Sequence, residues 1–225
     1  YIADGVDPAK LVDIGIARTD QFVQNRGKVV VSSRLVEQMR VDPSRPIVAY
    51  VPTYWGATSV DGVGLDLVER VPDDVTLIFR PHPQTPDSIL DRYRPLLDRS
   101  NVVYAPLGRF DVELVDVLDA ASVIVGDMSS VMVESILLDK PLIFARDAQG
   151  RDAADLAAIQ DLVDYAGQIR VEDTGSVPQV VHATIERGID AELWAATKER
   201  MFFNYDGTAV SAICDLVSSL CASAR

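Results

Sequence analysis

The sequence predicts an α/β protein with a Rossmann-like, doubly wound parallel sheet and a helical cap at its carboxyl-terminal end. Short apolar runs rich in β-branched residues recur along the chain, and segments with helical periodicity separate them. Runs that are apolar on both faces are typical of parallel strands, because helices cover both sides of such a sheet. The alternation of strand, helix and strand therefore indicates right-handed βαβ units in one doubly wound sheet.

Each strand is predicted from an apolar run with Pro, Gly, Asn or Ser at its edges. The six predicted strands are Arg45–Pro52, Val75–Pro81, Asn101–Ala105, Ser122–Gly126, Pro141–Ala145 and the less apolar Gly167–Val171. The helices predicted around them are Ser32–Val41, Pro86–Leu97, Asp111–Ala121 and Ser129–Leu138. Three further helical patterns in the tail, residues 177–188, 190–203 and 207–223, are expected to pack across the sheet as the cap.

Length and composition are those of a soluble globular protein with one main domain. The chain has 225 residues, of which 48% are hydrophobic and 24% charged. We expect residues 26–225 to form the domain and residues 1–25 to be a linker that enters it. The net charge of −13 repels nucleic acids and anionic lipid surfaces. A phosphorylated ligand would therefore have to be bound by local dipoles and a few cationic side chains. No run of eighteen apolar residues occurs.

The two cysteines carry a prediction about the cellular compartment. Cys214 and Cys221 are seven residues apart in a helical pattern. This spacing places them on one face of the helix about 10.5 Å apart, which is too far for a disulfide. We therefore expect buried, reduced thiols and a cytoplasmic protein, or one that is peripheral at the inner face of the membrane when full-length.

The loops that follow the strands are the places where ligands bind in an open parallel sheet. In the first, Val51–Ala57, Thr53 is followed by two aromatic residues that can pack as a lid or stack on a base or sugar. In the second, Arg80–Pro83, two prolines stiffen a loop that carries His82. An imidazole there can donate a hydrogen bond to a phosphate oxygen or transfer a proton. Arg80 can bind phosphate or pair with a carboxylate.

The third loop has three polar groups within four residues. Asp127 ends a strand, and Ser129 and Ser130 begin the next helix. Plain helix capping explains one of them, because Asp and Ser satisfy the free N–H groups of a first turn. The remaining hydroxyls and N–H groups suggest a cradle for a diphosphate. Glu134, one turn on, could reach a ribose diol or be an ordinary solvated charge.

Several common motifs are absent from the sequence. It contains neither GxxxxGK[ST] nor GxGxxG, which weighs against an NTPase and a dinucleotide dehydrogenase. It also lacks a GxSxG elbow, an HExxH motif and clustered Cys or His residues, so we expect no metal site and no cofactor. His182, the second of two histidines, lies in a helical pattern and is interpreted as structural.

Three segments taken together carry a family resemblance. "VAYVPTYWG", "LIFRPHP" and "VIVGDMSSVMVESILLDKPLIF", in this order, resemble the CDP-glycerol glycerophosphotransferase family of teichoic acid polymerases. "DIGIARTDQF" is similar to that family's G-x-P-R-x-D segment, with Ala17 in place of the proline, and "FNYDGTAVSAICDLV" is similar to its closing helix. Met128 stands where the family usually has Tyr.

The resemblance implies the carboxyl-terminal, donor-binding half of a GT-B enzyme. That family moves glycerol phosphate from CDP-glycerol to an acceptor hydroxyl and releases CMP. The resemblance implies that His82 and Arg80 face the donor diphosphate, that Asp127, Ser129 and Ser130 hold it, and that Glu134 meets the ribose. Thr53 is assigned to the same nucleotide site. It further implies an amino-terminal acceptor domain that carries a catalytic His and a membrane-linked polymer acceptor, so this chain alone is expected to be a poor catalyst.

Two other readings stay open from the sequence. A nucleotide-sugar glycosyltransferase or a UDP-sugar 2-epimerase would share the fold and the phosphate-binding loop. A non-catalytic nucleotide-binding module would keep the binding loops without turnover. A preference for uridine ligands over cytidine ligands would favour the glycosyltransferase or epimerase. Nucleotide binding without turnover by a full-length protein would favour the non-catalytic module.

Overall fold

The computed structural model describes residues 5–25, 33–54, 58–127, 129–146 and 159–223. Within these ranges six strands form one fully parallel sheet in the order β3-β2-β1-β4-β5-β6, which is the strand order of a dinucleotide-binding Rossmann fold. The strands are β1 (Ile47–Tyr50), β2 (Thr76–Phe79), β3 (Val102–Tyr104), β4 (Val123–Gly126), β5 (Leu142–Arg146) and β6 (Gly167–Arg170).

Helices precede the first strand, connect the strands and follow the last one. They are α1 (Asp20–Asn25), α2 (Ser33–Met39), α3 (Gly64–Arg70), α4 (Asp87–Tyr93), α5 (Leu114–Ala120), α6 (Ser130–Ser135), α7 (Gln160–Tyr165), α8 (Val177–Arg187), α9 (Ala191–Met201) and α10 (Ala209–Ser223). Short 3₁₀ turns extend α4 over Arg94–Leu96 and α6 over Ile136–Leu138. No helix within the described ranges is long and apolar enough to cross a membrane.

The core consists of two layers, one on each face of the sheet. Alternate strand residues point to opposite layers, so Ala49 and Ile124 enter one layer while Tyr50 and Val125 enter the other. Helices α1, α2, α5, α6, α7 and α9 cover the first face, and α3, α4 and α8 cover the second. This two-sided burial is the reason that the strands read as nearly continuous apolar runs.

The six predicted strands are confirmed, and each observed end lies within two residues of the predicted one. Each of the four predicted connecting helices overlaps an observed one, although the predicted start at Ser32 lies outside the described residues. Helices α1, α3 and α7 were not predicted as separate elements. Each is only six or seven residues long, which is also the length of the four connecting helices that were predicted.

The tail helices form, but they do not build one cap across the sheet. Helix α8 packs on β6 and its neighbours, α9 lies on the opposite face against α7, and α10 packs mainly on the turn Ala17–Thr19. Helix α10 therefore extends away from the sheet, and most of its surface is exposed. Cys214 and Cys221 on this helix are free but exposed, so the prediction that they are buried is wrong.

Part of the predicted linker belongs to the domain. Phe22 is fully buried in the core, and the buried carboxylate of Asp20 accepts from the Ala209 and Val210 N–H groups at the start of α10. Gln24 donates to the carbonyl of Gly207 at 2.8 Å. Residues 17–25 are therefore held by the core and by the tail, and an acceptor domain before them stays a prediction.

Gly64 has almost no room for a side chain. A Cβ at this position would lie 2.5 Å from the Tyr93 hydroxyl and 2.7 Å from the Ser59 carbonyl oxygen, and closer still to the Tyr50 hydroxyl. Both tyrosines are fully buried, so neither can move aside. We expect Gly64→Ala to lower the free energy of unfolding by about 2–3 kcal/mol in urea denaturation. Gly175→Ala, where no atom lies within 4 Å, is the control, and equal losses would contradict this account.

Candidate functional site

A crevice lies between the carboxyl ends of β1 and β4, at the centre of the sheet. These strands are neighbours, yet the chain leaves them towards opposite faces, since α3 packs on one face and α6 on the other. This is the topological switch point at which doubly wound sheets bind ligands. The loop after β1 and the loop after β4 form its two sides.

Asp127 joins the two sides of the crevice. Its Oδ1 accepts from the Thr53 N–H at 2.6 Å, and its Oδ2 accepts from the Ser59 N–H at 2.7 Å and from the Ser59 hydroxyl at 3.1 Å. Burial raises the pKa of Asp127 above its usual value, and these donors counteract that rise. Both oxygens accept hydrogen bonds from the loop after β1, so Asp127 positions that loop, and its predicted contact with a diphosphate stays a prediction.

A cavity of about 410 Å³ occupies the crevice. Its wall combines residues from the loops after β1, β2 and β4, from the start of α5 and from the amino-terminal turn. The lining residues are Arg18, Val51, Pro52, Thr53, Tyr54, His82, Pro83, Leu114, Ser129, Ser130 and Val131. Thr53, His82, Ser129 and Ser130, which the sequence predicts as site residues, are therefore brought together on one cavity wall.

The RPHP loop presents His82 in a defined orientation. The Gln84 N–H donates to His82 Nδ1 at 3.1 Å, and the Thr85 N–H donates to the His82 carbonyl at 2.9 Å. The Tyr54 ring stacks on the imidazole, with ring centroids 4.0 Å apart and an interplanar angle of 22°. Because Nδ1 accepts a hydrogen bond, the neutral ring carries its proton on Nε2 and can donate from that atom.

The pKa of His82 is lowered from its ordinary value of 6.5 by partial burial. We expect an NMR titration to give a midpoint below 6.5 and the neutral ring to show the Nε2–H tautomer. Protonation is harder in the folded chain than in the unfolded chain. His82 therefore favours folding above about pH 6.5, and this contribution is lost as the pH falls below that value. A midpoint above 6.5, or an Nδ1–H tautomer at neutral pH, would contradict the observed loop geometry.

Arg80 lies deeper than His82. The residue is 8% exposed. Burial lowers the pKa of the Arg80 guanidinium, while the carboxylates of Glu113 and Asp116 at the start of α5 raise it. Arg80 borders a smaller, mostly apolar cavity of about 130 Å³ that adjoins the larger one. The other residues of this cavity are Val51, Pro52, Pro81, His82, Pro83, Leu107, Leu114 and Val131.

The start of α6 shows which of its polar groups are needed for capping. Ser129 is the N-cap, and its hydroxyl accepts from the Met132 N–H at 3.4 Å. Ser130 follows and lines the cavity with it. Glu134 is 8% exposed and does not line the cavity; its Oε2 lies 3.1 Å from Nε of Arg18. Glu134 therefore forms an ion pair within the protein, and its predicted contact with a ribose stays a prediction.

Two polar residues of the cavity wall, Arg18 and Tyr54, are not among the predicted site residues. Arg18 reaches the wall from the amino-terminal turn, and the only sequence signal for it was its place in the segment similar to G-x-P-R-x-D. Tyr54 was noted as part of an aromatic pair, whose other member, Trp55, lies outside the described residues. His182 is remote from the cavity, on α8, where its Nε2 lies 3.0 Å from Oδ1 of Asp74. Within the part of the chain that the structure describes, no group of three or more His, Cys, Asp or Glu side chains could hold a metal ion.

One protein-family profile matches most of the chain. The sequence profile of the CDP-glycerol:poly(glycerophosphate) glycerophosphotransferase family matches residues 3–219. No curated protein sequence matches the chain significantly.

Solved structures share the fold at low sequence identity. The wall teichoic acid polymerase TagF superposes with a TM-score of 0.65 at 17% identity, over 96% of this chain and 53% of that chain. A variant of TagF soaked with CDPG gives a TM-score of 0.65 at 19% identity, over 96% of this chain and 52% of that chain. UDP-GlcNAc 2-epimerase from Neisseria meningitidis, bound to UDP-GlcNAc, gives 0.60 at 16% identity, over 97% and 58% of the two chains. This chain thus spans about half the length of these proteins.

Proposed function

Because this chain belongs to the CDP-glycerol:poly(glycerophosphate) glycerophosphotransferase family, we propose that its crevice binds a CDP-activated alcohol phosphate such as CDP-glycerol. The donor half of the reaction takes place there, and glycerol phosphate passes to an acceptor hydroxyl with release of CMP. The observation that carries the proposal is the convergence of His82, Ser129 and Ser130 on one cavity at the switch point of the sheet, in a chain of this family.

The cavity wall suits a diphosphate, because it offers neutral donors where phosphate oxygens accept. His82, whose neutral ring carries its proton on Nε2, and Ser130 line the larger cavity from opposite loops. In a chain with a net charge of −13, such local donors are needed to bind an anion. The smaller apolar cavity next to Pro83, Leu107 and Leu114 offers surfaces for the flat face of a nucleobase.

In the proposed reaction, an acceptor oxygen bonds to the phosphorus of the glycerol phosphate group. The bond from that phosphorus to the bridging oxygen breaks, and CMP leaves with the electron pair. The acceptor proton passes to a base. His82 stabilises the charge that develops on the leaving phosphate by donating from Nε2, which is the electrostatic role that phosphoryl transfer requires. Asp127 holds the loop after β1, and with it Thr53 and Tyr54, in place around the donor.

We propose that the enzyme has further parts in a longer protein that contains this domain. An amino-terminal acceptor domain would supply the base and hold the acceptor, which we propose to be a membrane-linked polymer of the teichoic acid type. The full-length protein would then act in the cytoplasm or at the inner face of the membrane. The support for these partners is the family membership and the fold shared with TagF.

Ligand stabilisation of the 225-residue chain tests the proposal against its rivals. We expect CDP-glycerol and CMP to raise the melting temperature more than UDP-N-acetylglucosamine and UMP do, because the family's donor is a cytidine nucleotide. A ligand at about 100 times its Kd adds roughly 2.7 kcal/mol of stability, which is a readily visible shift. Selective stabilisation by the uridine ligands would favour a glycosyltransferase or an epimerase. No stabilisation by any of the four would contradict nucleotide binding by this chain.

The hydroxyls of α6 are tested separately. We expect the double variant Ser129→Ala and Ser130→Ala to weaken CDP-glycerol binding by about tenfold in calorimetry, since lost hydrogen bonds to an anion cost about 1.5 kcal/mol or more. Loss of the Ser129 cap also lowers stability by about 1 kcal/mol. The control is Ser219→Ala on the exposed part of α10, which should change neither quantity. Unchanged affinity of the double variant would exclude these hydroxyls from the site.

A further inference from the structure

A buried group of three hydroxyls lies beneath the loop after β1, on the face of the sheet opposite to α6. Tyr50 ends β1, Ser59 begins the 3₁₀ turn that follows the loop, and Tyr93 ends α4. None of the three residues is more than 1% exposed. A polar group buried this deeply needs a hydrogen-bond partner within the protein, so the partners of these hydroxyls follow from the packing.

The hydroxyl of Ser59 connects Tyr50 to Asp127. It donates to Oδ2 of Asp127 at 3.1 Å, and it lies 2.9 Å from the Tyr50 hydroxyl. A serine hydroxyl has one proton, and a carboxylate can only accept. Because the Ser59 proton is used on Asp127, the Tyr50 hydroxyl must donate to the Ser59 oxygen. A directed chain of hydrogen bonds therefore runs from Tyr50 through Ser59 to the carboxylate.

Tyr93 lies next to Tyr50 but does not donate into this chain. Its hydroxyl donates to the Val60 carbonyl at 2.6 Å, which uses its only proton. Burial raises the pKa of both tyrosines, so each keeps its proton at neutral pH. The charged groups Arg92 and Asp61, which act on Tyr93, form an ion pair with each other.

Asp127 receives the chain where it holds both ends of the loop after β1. Its Oδ2 also accepts from the Ser59 N–H at 2.7 Å, and its Oδ1 accepts from the Thr53 N–H at 2.6 Å. The next residue of the loop, Tyr54, stacks on His82. Burial raises the pKa of Asp127, and the hydrogen bonds from Thr53 and Ser59 lower it. A donor that polarises the Ser59 hydroxyl strengthens its bond to the carboxylate, because hydrogen bonds in a chain reinforce one another.

We propose that Tyr50 is a positioning residue of the crevice, which acts through Ser59 and Asp127 to hold the loop after β1 in place. Tyr50 lines neither of the cavities at the crevice, so its hydroxyl reaches the site only along the chain of hydrogen bonds. The loop carries Thr53 and Tyr54 into the larger cavity. The effect of Tyr50 on donor binding therefore rests on the proposed function, whereas its effect on Asp127 does not.

NMR titrations of the side-chain carboxyl carbons in the 225-residue chain test the action of Tyr50 on Asp127. We expect Tyr50→Phe, which keeps the ring that stacks on Phe79, to raise the titration midpoint of Asp127 above that of the parent chain. The Ser59 hydroxyl is then a weaker donor, so the ionised carboxylate loses stabilisation relative to its protonated form.

Tyr93→Phe is the matched control for these titrations. It also removes one buried tyrosine hydroxyl, but that hydroxyl donates to the Val60 carbonyl, so the midpoint of Asp127 should not rise. An unchanged midpoint in Tyr50→Phe, or an equal rise in both variants, would overturn the proposal.

Urea denaturation at neutral and at acid pH gives a second readout that a purely structural role would not produce. If the folded-state pKa of Asp127 is higher in Tyr50→Phe than in the parent, the resulting loss of stability is present above that pKa and disappears as the pH falls below the pKa of the parent. We therefore expect Tyr50→Phe to lose more unfolding free energy at neutral pH than in acid. Tyr93→Phe should lose the same amount at both.

The unmodified chain keeps the proposal testable if Tyr50→Phe does not fold. The proton of the Tyr50 hydroxyl should show a stronger nuclear Overhauser effect to the Ser59 side chain than to the Tyr93 ring, because Tyr50 donates to Ser59. The reverse order would mean that Tyr50 donates to Tyr93, and the directed chain to Asp127 would not exist.

Calorimetry with CDP-glycerol measures the consequence for the site. We expect Tyr50→Phe to weaken binding by about fivefold, the equivalent of roughly one hydrogen bond, and Tyr93→Phe to weaken it by less than about twofold. If the parent chain binds CDP-glycerol and Tyr50→Phe binds it equally well, the positioning role is overturned and the proposed function stands. If the parent chain does not bind, the proposed function fails, and the midpoint of Asp127 alone decides whether Tyr50 acts on the carboxylate.

Discussion

Replacement of Asp127 by Asn is expected to lower the free energy of unfolding by roughly 3 kcal/mol, because hydrogen bonds to a charged acceptor are worth about 1.5–3 kcal/mol each. The carboxylate accepts three hydrogen bonds, from the Thr53 N–H and from the N–H and hydroxyl of Ser59. An amide has one acceptor oxygen, and its NH₂ group would face at least one of these donors. Urea denaturation of the variant and the parent chain measures the loss.

Asp66→Asn provides the control for the Asp127 variant. Asp66 is an exposed partner in a surface ion pair on α3, and such pairs contribute about 0–1 kcal/mol. If Asp127→Asn lost no more than Asp66→Asn, the carboxylate would not join the two sides of the crevice as proposed.

Replacement of His82 by Ala in a full-length protein that carries this domain is expected to lower turnover by roughly 10²-fold or more, the usual scale for a group that transfers or stabilises a proton. His82 lines the cavity, and its neutral ring carries the proton on Nε2 because Nδ1 accepts from the Gln84 N–H. The measurement is release of CMP from CDP-glycerol with an acceptor present. If His82 acts mainly on the leaving group, kcat should fall more than KM rises.

His182→Ala is the control for this kinetic experiment. His182 lies on α8 in contact with Asp74, and it is not part of the cavity wall. Its removal should leave turnover unchanged. Turnover of the His82 variant within a few-fold of the parent would make His82 a structural residue whose stacking with Tyr54 supports the loop.

The sequence predicts most of the fold because the local patterns are strong. The strands β1, β2, β4 and β5 are buried on both faces, and such runs carry their signal in composition alone. The short helices α3 and α7 were not predicted, and α10 was assigned to a cap that it does not join. Periodicity shows that a segment is helical but does not show which surface it packs on, because that depends on distant parts of the chain.

The candidate site, like the fold, could be predicted from the sequence only in part. His82, Ser129 and Ser130 follow strand ends, and the carboxyl ends of parallel strands meet at one edge, so their meeting could be predicted from order alone. Asp127 and Glu134 carry the same local signals, yet they face protein donors and the Arg18 guanidinium. A carboxylate at a strand end binds whichever donors the fold places near it, and nothing in its neighbouring residues identifies those donors.

By itself, the sequence determines the parallel α/β architecture, the three loops at the ligand edge and the family to which the chain belongs. Each of these is recorded in short segments: apolar runs, the RPHP loop and the polar break before α6. Only the tertiary structure decides that Asp127 joins two loops, that Nδ1 of His82 accepts from Gln84, and that Arg18 reaches the cavity to meet Glu134. The physical reason is that the contacts of a polar group depend on distances between its atoms and those of its partners, and for Arg18 and Glu134 the fold closes a separation of more than one hundred residues.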